Sequence, residues 1–188
     1  MPEGTRVSEA PASTLLNLPN IITFGRLCAV PAAIYLVLHE AFMPAFWLFL
    51  GAGISDGVDG WLARRRGPSY VGALLDPVAD KALLVAMFVM LSMVRVVPDW
   101  LAILVVFRDV IIVGGVLVLT LLGTPPIIKP LLVSKLNTVL QIALVATALF
   151  LAGTGRMGGL TLPILVWTVA TTTMVSGAAY IVRAVRRG

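Results

Sequence analysis

Four aspartates, Asp56, Asp59, Asp76 and Asp80, fall at spacings of three, seventeen and four in a stretch flanked by strongly apolar sequence. The chain has nine acidic residues, so nearly half of them are gathered within 25 positions. At membrane depth each carboxylate costs about 2.5–3.5 kcal/mol on insertion scales, and four together need a partner. A divalent cation is the simplest one, and oxygen-only ligands favour Mg²⁺, Mn²⁺ or Ca²⁺ over zinc. The bland alternative is an ion-pair network with Lys81, Arg64 and Arg26, but those cations are too few to neutralise four acids. The stretch reads as a metal site.

Helices must position these groups. Asp56 and Asp59 are three apart and Asp76 and Asp80 four apart, so each pair shares one helix face. Asp56 precedes Arg64, at a basic helix end, by eight residues. That places it about 12 Å from the end at 1.5 Å per residue. A carboxylate at that depth must line a cavity open to one side, and two helices would present two carboxylates each to it. Gly53, Gly57 and Gly60 form a stripe that Ala63 extends. Such a stripe serves close helix packing or leaves room for a ligand to approach the backbone.

The composition places the helices in a bilayer. Apolar residues make up 59% of the 188, and the mean hydropathy is +1.01, too high for a soluble domain of this size. Six spans are expected at residues 20–38, 43–64, 70–95, 98–122, 132–151 and 160–182. Each is long enough to cross about 30 Å of hydrocarbon. The expectation is therefore an all-α, polytopic six-transmembrane-helix bundle, with residues 1–17 a flexible tail and 18–188 one domain. In that topology Arg6, Arg26, Arg64, Arg65, Arg66, Lys129, Lys135, Arg183, Arg186 and Arg187 fall on one side. Arg95 and Arg156 fall on the other, with Lys81 and Arg108 inside spans. Ten against two puts both termini in the cytoplasm. The net charge of +5 thus serves orientation and anionic lipid rather than nucleic acid.

Other polar positions are individually weaker. Pro19 and Asn20 open the first span with helix-start chemistry, and Arg26, more than a turn inside, either snorkels or reaches an anion in the cavity. Arg108 and Asp109 form a charge pair in the fourth span, with anion binding by Arg108 slightly favoured over a purely mutual pair. Lys129, Ser134, Lys135, Asn137, Thr138 and Gln141 give the fifth span more polar groups than a lipid-facing helix would carry. His39, beside Glu40 in the first external turn, reads as non-catalytic. Cys28, the sole cysteine, reads as a small packing residue, the methionines as gap-fillers, and the tryptophans as interface anchors or packing.

Asp56-x2-Asp59-Gly60-x2-Ala63-Arg64 followed by Gly72-x3-Asp76-x3-Asp80 resembles the signature of the CDP-alcohol phosphatidyltransferases. Seven residues separate Arg64 from Gly72, one fewer than that signature leads one to expect, and the difference falls in a basic turn. The resemblance implies one or two Mg²⁺ or Mn²⁺ ions on Asp56, Asp59, Asp76 and Asp80, with Asp80 also the general base. It implies cytidine contacts at Gly60, Ala63, Arg64 and Gly72, and a homodimer in a bacterial cytoplasmic membrane. The stretches NLPNIITFGRL, ALLDPVADK, FRDV and IKPLLVSKLNTVLQ are most similar to the single-active-site cardiolipin synthases. Those imply transfer from CDP-diacylglycerol to phosphatidylglycerol, with glycerol 3-phosphate the alternative acceptor. Arg26, Arg108, Lys129 and Lys135 are then candidates for the acceptor phosphate. A cation transporter is the non-enzymatic alternative, disfavoured because the acids cluster towards one face.

Overall fold

The described residues form six helices and the turns between some of them, with no strand. The computed structural model describes the backbone of residues 18–66, 70–121 and 132–185. It describes the side chains of residues 25, 27–55, 81–112, 114, 132–180 and 182. The helices are α1 (Leu18–Leu38), α2 (Phe42–Arg66), α3 (Tyr70–Met93), α4 (Asp99–Leu121), α5 (Leu132–Gly153) and α6 (Thr161–Val185). The tail expected at residues 1–17 lies outside the description.

Long apolar runs fix these elements, and local hydrogen bonds end them. Three of the connections close alike. After α1, the amide of Ala41 donates to the carbonyl of Leu36; after α3, that of Val96 to Leu91; after α5, that of Arg156 to Leu151. Each such Schellman closure needs one left-handed residue, supplied by Glu40 (φ 55°), Arg95 (φ 61°) and Gly155 (φ 68°). Asp99 then begins α4, accepting from Ser92 at 2.7 Å and from Arg95 at 2.9 Å. Among the described residues, Leu132–Gly153 and Thr161–Tyr180 are long and apolar enough to cross a membrane, and three shorter stretches, Leu27–Leu38, Phe42–Ser55 and Lys81–Met93, are also apolar.

The helices pack as a ring in the order α1, α2, α5, α6, α4, α3 and back to α1, with α3 touching α5 across it. The apolar core occupies the end with the three tight turns. It is built from Val37 of α1, Phe49 of α2, Met87, Phe88 and Leu91 of α3, Leu101 and Val105 of α4, Leu144 and Leu149 of α5, and Val166 and Val169 of α6. Beyond it, the buried residues turn polar: Arg108, Asp109, Asn137, Gln141, Thr173 and Ser176. The bundle is therefore dry at one end and polar across its middle.

Two packing expectations are corrected. Cys28 is exposed rather than packed. Among the described residues of α1 the buried positions are Ala33 and Val37, one turn apart, and Cys28 lies about 140° around the helix from Ala33. A thiol is apolar enough to face outward there. Met87 does fill the core, whereas Met93 and Met174 are exposed on the bundle surface. Trp47, Trp100 and Trp167 are also exposed, the last two in tilted contact with 5.4 Å between ring centres.

Candidate functional site

Helix α2 carries Asp56, Asp59, Gly60, Ala63 and Arg64 in its final turns, and α3 carries Gly72, Asp76 and Asp80 in its opening ones. Helices α1 and α5 each touch both of them, so the two acid-bearing helices border a common region. The helical backbone keeps each aspartate pair on one face, as the spacing requires. The side chains of residues 56–80 and of Arg26, and the whole of Lys129, lie outside the described residues. The first described residue of the glycine stripe, Gly53, is exposed, and a Cβ added to it would meet nothing within 4 Å. That residue, at least, is open space rather than a helix contact.

Directly after Asp80, the structure shows where Lys81 goes. Its Nζ donates to Asp109 Oδ2 of α4 at 2.7 Å, leaving the side chain 31% exposed. The other oxygen of Asp109 accepts from Arg108 Nη1, also at 2.7 Å. Arg108 Nη2 donates to the hydroxyls of Ser134 on α5 and Ser176 on α6, at 2.7 and 2.6 Å. Its guanidinium carbon lies 6.0 Å from the centre of the Tyr180 ring. Gly177, one residue after Ser176, lies beside the arginine stem, where an added Cβ would make only an ordinary contact, 3.8 Å from Arg108 Cγ. Four helices thus meet on one cluster that holds, among the described residues, two cations and one carboxylate.

Behind the cluster, α5 and α6 are tied again. Asn137 Oδ1 accepts from Thr172 and Thr173 at 2.8 and 2.9 Å. Several buried polar atoms find no partner among the described residues: Arg108 Nε, Asn137 Nδ2 and both amide atoms of Gln141. The polar residues of α5 expected from sequence therefore do face inward, with Asn137 and Gln141 fully buried. Lys135 does not join them. It is exposed, and makes no ion pair or hydrogen bond to another described residue. His39 donates or accepts only locally, with its Nδ1 2.9 Å from the Tyr35 carbonyl.

For Arg108 and Asp109, the sequence suggested a choice between a mutual pair and anion binding. The structure shows the pair, and adds Lys81, Ser134 and Ser176, which sequence reasoning did not assign to it. A signal for the serines existed. Ser134, Asn137 and Gln141 on α5, and Thr172, Thr173, Ser176 and Tyr180 on α6, recur at helical spacing and mark two facing polar stripes.

A strongly apolar chain that is all-helical among its described residues, with paired acidic positions on two helices and a buried basic cluster, belongs with membrane-associated proteins that handle charged groups. More particularly, it belongs to the CDP-alcohol phosphatidyltransferase family, whose pattern matches residues 16–182. The chain is 35% identical to the chloroplastic CDP-diacylglycerol–glycerol-3-phosphate 3-phosphatidyltransferase 1 of Oryza sativa, over 88% of this chain and 56% of that protein. It is 31% identical to the cardiolipin synthase (CMP-forming) of Rattus norvegicus, over 87% of this chain and 60% of the relative. It is 30% identical to the CDP-diacylglycerol–glycerol-3-phosphate 3-phosphatidyltransferase of Bacillus subtilis, over 72% of this chain and 77% of the relative. The chain spans little more than half the length of the rice and rat proteins.

Proposed function

We propose that this protein transfers a phosphatidyl group from CDP-diacylglycerol to the hydroxyl of phosphatidylglycerol, releasing cardiolipin and CMP. The observation that carries the reaction type is the eight-position aspartate signature, placed on α2 and α3 inside the matched family span. The acceptor rests on the wider similarity to cardiolipin synthases such as that of rat. The rice and Bacillus relatives favour a second reading, with glycerol 3-phosphate as acceptor and phosphatidylglycerophosphate as product.

Asp56, Asp59, Asp76 and Asp80 suit a divalent cation by donor chemistry, offering hard carboxylate oxygens only. The cation nearest them in sequence, Lys81, is engaged by Asp109, which leaves less positive charge available to neutralise them. One or two Mg²⁺ or Mn²⁺ ions bound there would neutralise charge on the pyrophosphate oxygens. Asp80 accepts the proton of the attacking hydroxyl as its oxygen bonds to the phosphatidyl phosphorus and the bond to CMP breaks. Gly60, Ala63, Arg64 and Gly72 seat the cytidine end. Arg108, which shares Asp109 with Lys81, and Lys135, with Lys129 and Arg26, attract the acceptor phosphate. The chain spans the cytoplasmic membrane six times as a homodimer, with both termini and the site on the cytoplasmic side and the acyl chains in the bilayer.

The test offers purified protein CDP-diacylglycerol and Mg²⁺ or Mn²⁺ with each acceptor separately, resolving products by thin-layer chromatography. A flux assay in vesicles that shows cation transport without CMP release would instead support the transporter alternative.

A further inference from the structure

Lys135 sits apart from the other charged side chains. Glu40, Arg95, Asp99 and Arg156 lie in or beside the three tight turns, and Lys81, Arg108 and Asp109 form the cluster inside the bundle. Among the described residues that leaves Lys135, exposed on α5 with no ion-pair or hydrogen-bond partner. Its surroundings are apolar. Leu132, Leu136, Val139 and Ile142 are all exposed on the same helix. At 3.6 residues per turn these positions and Lys135 fall within an arc of about 120°. Asn137 and Gln141, fully buried, face the opposite way. Phe150, exposed on the same arc, extends the stripe. From Leu136 to Phe150 it runs about 21 Å at 1.5 Å per residue, more than the roughly 15 Å of hydrocarbon in one leaflet.

Helix α5 is long and apolar enough to cross a membrane, so this stripe meets acyl chains along its length. An ammonium at its edge, near the start of the helix, reaches the headgroup level on its four-carbon stem. A zwitterionic headgroup brings its own cation to its phosphate, whereas an anionic one has charge to spare for a lysine. We propose that the outer face of α5 is a binding site for an anionic phospholipid, with the phosphate on Lys135 and an acyl chain along Leu136, Val139 and Ile142. The simpler role, a lysine that snorkels to water, carries no preference among lipids. Phosphatidylglycerol is one lipid of this kind, but occupancy of the site requires no transfer, so the proposal stands or falls apart from the reaction assigned above.

The test is photo-crosslinking of the full chain in vesicles of phosphatidylcholine and phosphatidylglycerol, mixed equally and with matched acyl chains. The photoreactive residue p-benzoylphenylalanine replaces Val139, one turn from Lys135, or Ile164, exposed on α6, as the control. Mass spectrometry of the adducts gives the ratio of the two lipids at each position. Phosphatidylglycerol should be enriched about fivefold at Val139, the worth of one basic residue beside an anionic headgroup, and not at Ile164. Lys135→Ala should return Val139 to the bulk ratio, and Lys135→Arg should keep the enrichment. Adducts in the bulk ratio at Val139, or an enrichment that survives Lys135→Ala, overturn the proposal. So do adducts at Val139 to a second copy of the chain in place of lipid. If Lys135→Ala does not yield monodisperse protein, the contrast between Val139 and Ile164 decides: enrichment at Val139 alone supports the site, and equal ratios overturn it.

Discussion

Gln141 offers a direct measure of what the polar middle of the bundle costs. Its side chain is fully buried on α5, next to Leu144 and Val145 on the same stripe, and neither amide atom has a hydrogen-bond partner among the described residues. Methionine has the same unbranched length and no polar group, so Gln141→Met removes the amide without opening a cavity. Burying an amide without a partner costs about 1–3 kcal/mol in protein mutational data. For a chain of this size each kcal/mol is worth roughly 2–4 °C, so the variant should melt about 2–12 °C higher. The assay is tryptophan fluorescence of protein in detergent, heated at one fixed scan rate because such unfolding is commonly irreversible. A lower melting temperature would refute the reasoning, since the amide would then contribute a favourable interaction.

Three further outcomes follow from the same physical arguments. Gly153→Val should destabilise by about 1–3 kcal/mol in the same melt, because the added Cβ would meet the backbone nitrogen of Met43 at 3.0 Å, and a backbone cannot swing aside. Asp56→Asn, Asp59→Asn and Asp76→Asn should each lose most CMP release together with Mn²⁺ affinity. Asp80→Asn should lose about 10²–10⁴-fold in rate with CDP-diacylglycerol binding better preserved; equal loss of binding in all four would make Asp80 only a ligand. Lys135→Ala should raise the acceptor KM about ten- to a hundredfold and leave that for CDP-diacylglycerol nearly unchanged, the worth of one charge-assisted contact.

The elements were legible because apolar runs and their punctuation act locally. The span expected at residues 70–95 is the helix Tyr70–Met93, and that expected at 132–151 is Leu132–Gly153. The inward polar face of α5 was legible too, from polar residues too numerous for a lipid-facing helix. The pairing of Lys81 with Asp109 was not, because it depends on α3 lying beside α4, and 28 residues of chain separate the partners. The face taken by Cys28 was likewise hidden, since in a helix apolar on every side the pattern does not mark which side is buried. The signature spoke most clearly of family membership, which the match over residues 16–182 bears out, because its pattern lies in residue types and spacing rather than in packing.

The central claim is the metal-dependent transfer of a phosphatidyl group to phosphatidylglycerol. Its most direct test is the product formed by purified protein from CDP-diacylglycerol with phosphatidylglycerol or glycerol 3-phosphate, each with Mg²⁺ or Mn²⁺ and again with excess chelator. The expected result is cardiolipin and CMP from phosphatidylglycerol, little reaction with glycerol 3-phosphate, and no CMP in chelator. Phosphatidylglycerophosphate as the main product would contradict the acceptor, full activity in chelator would contradict the metal, and no CMP with either acceptor would contradict the account as a whole.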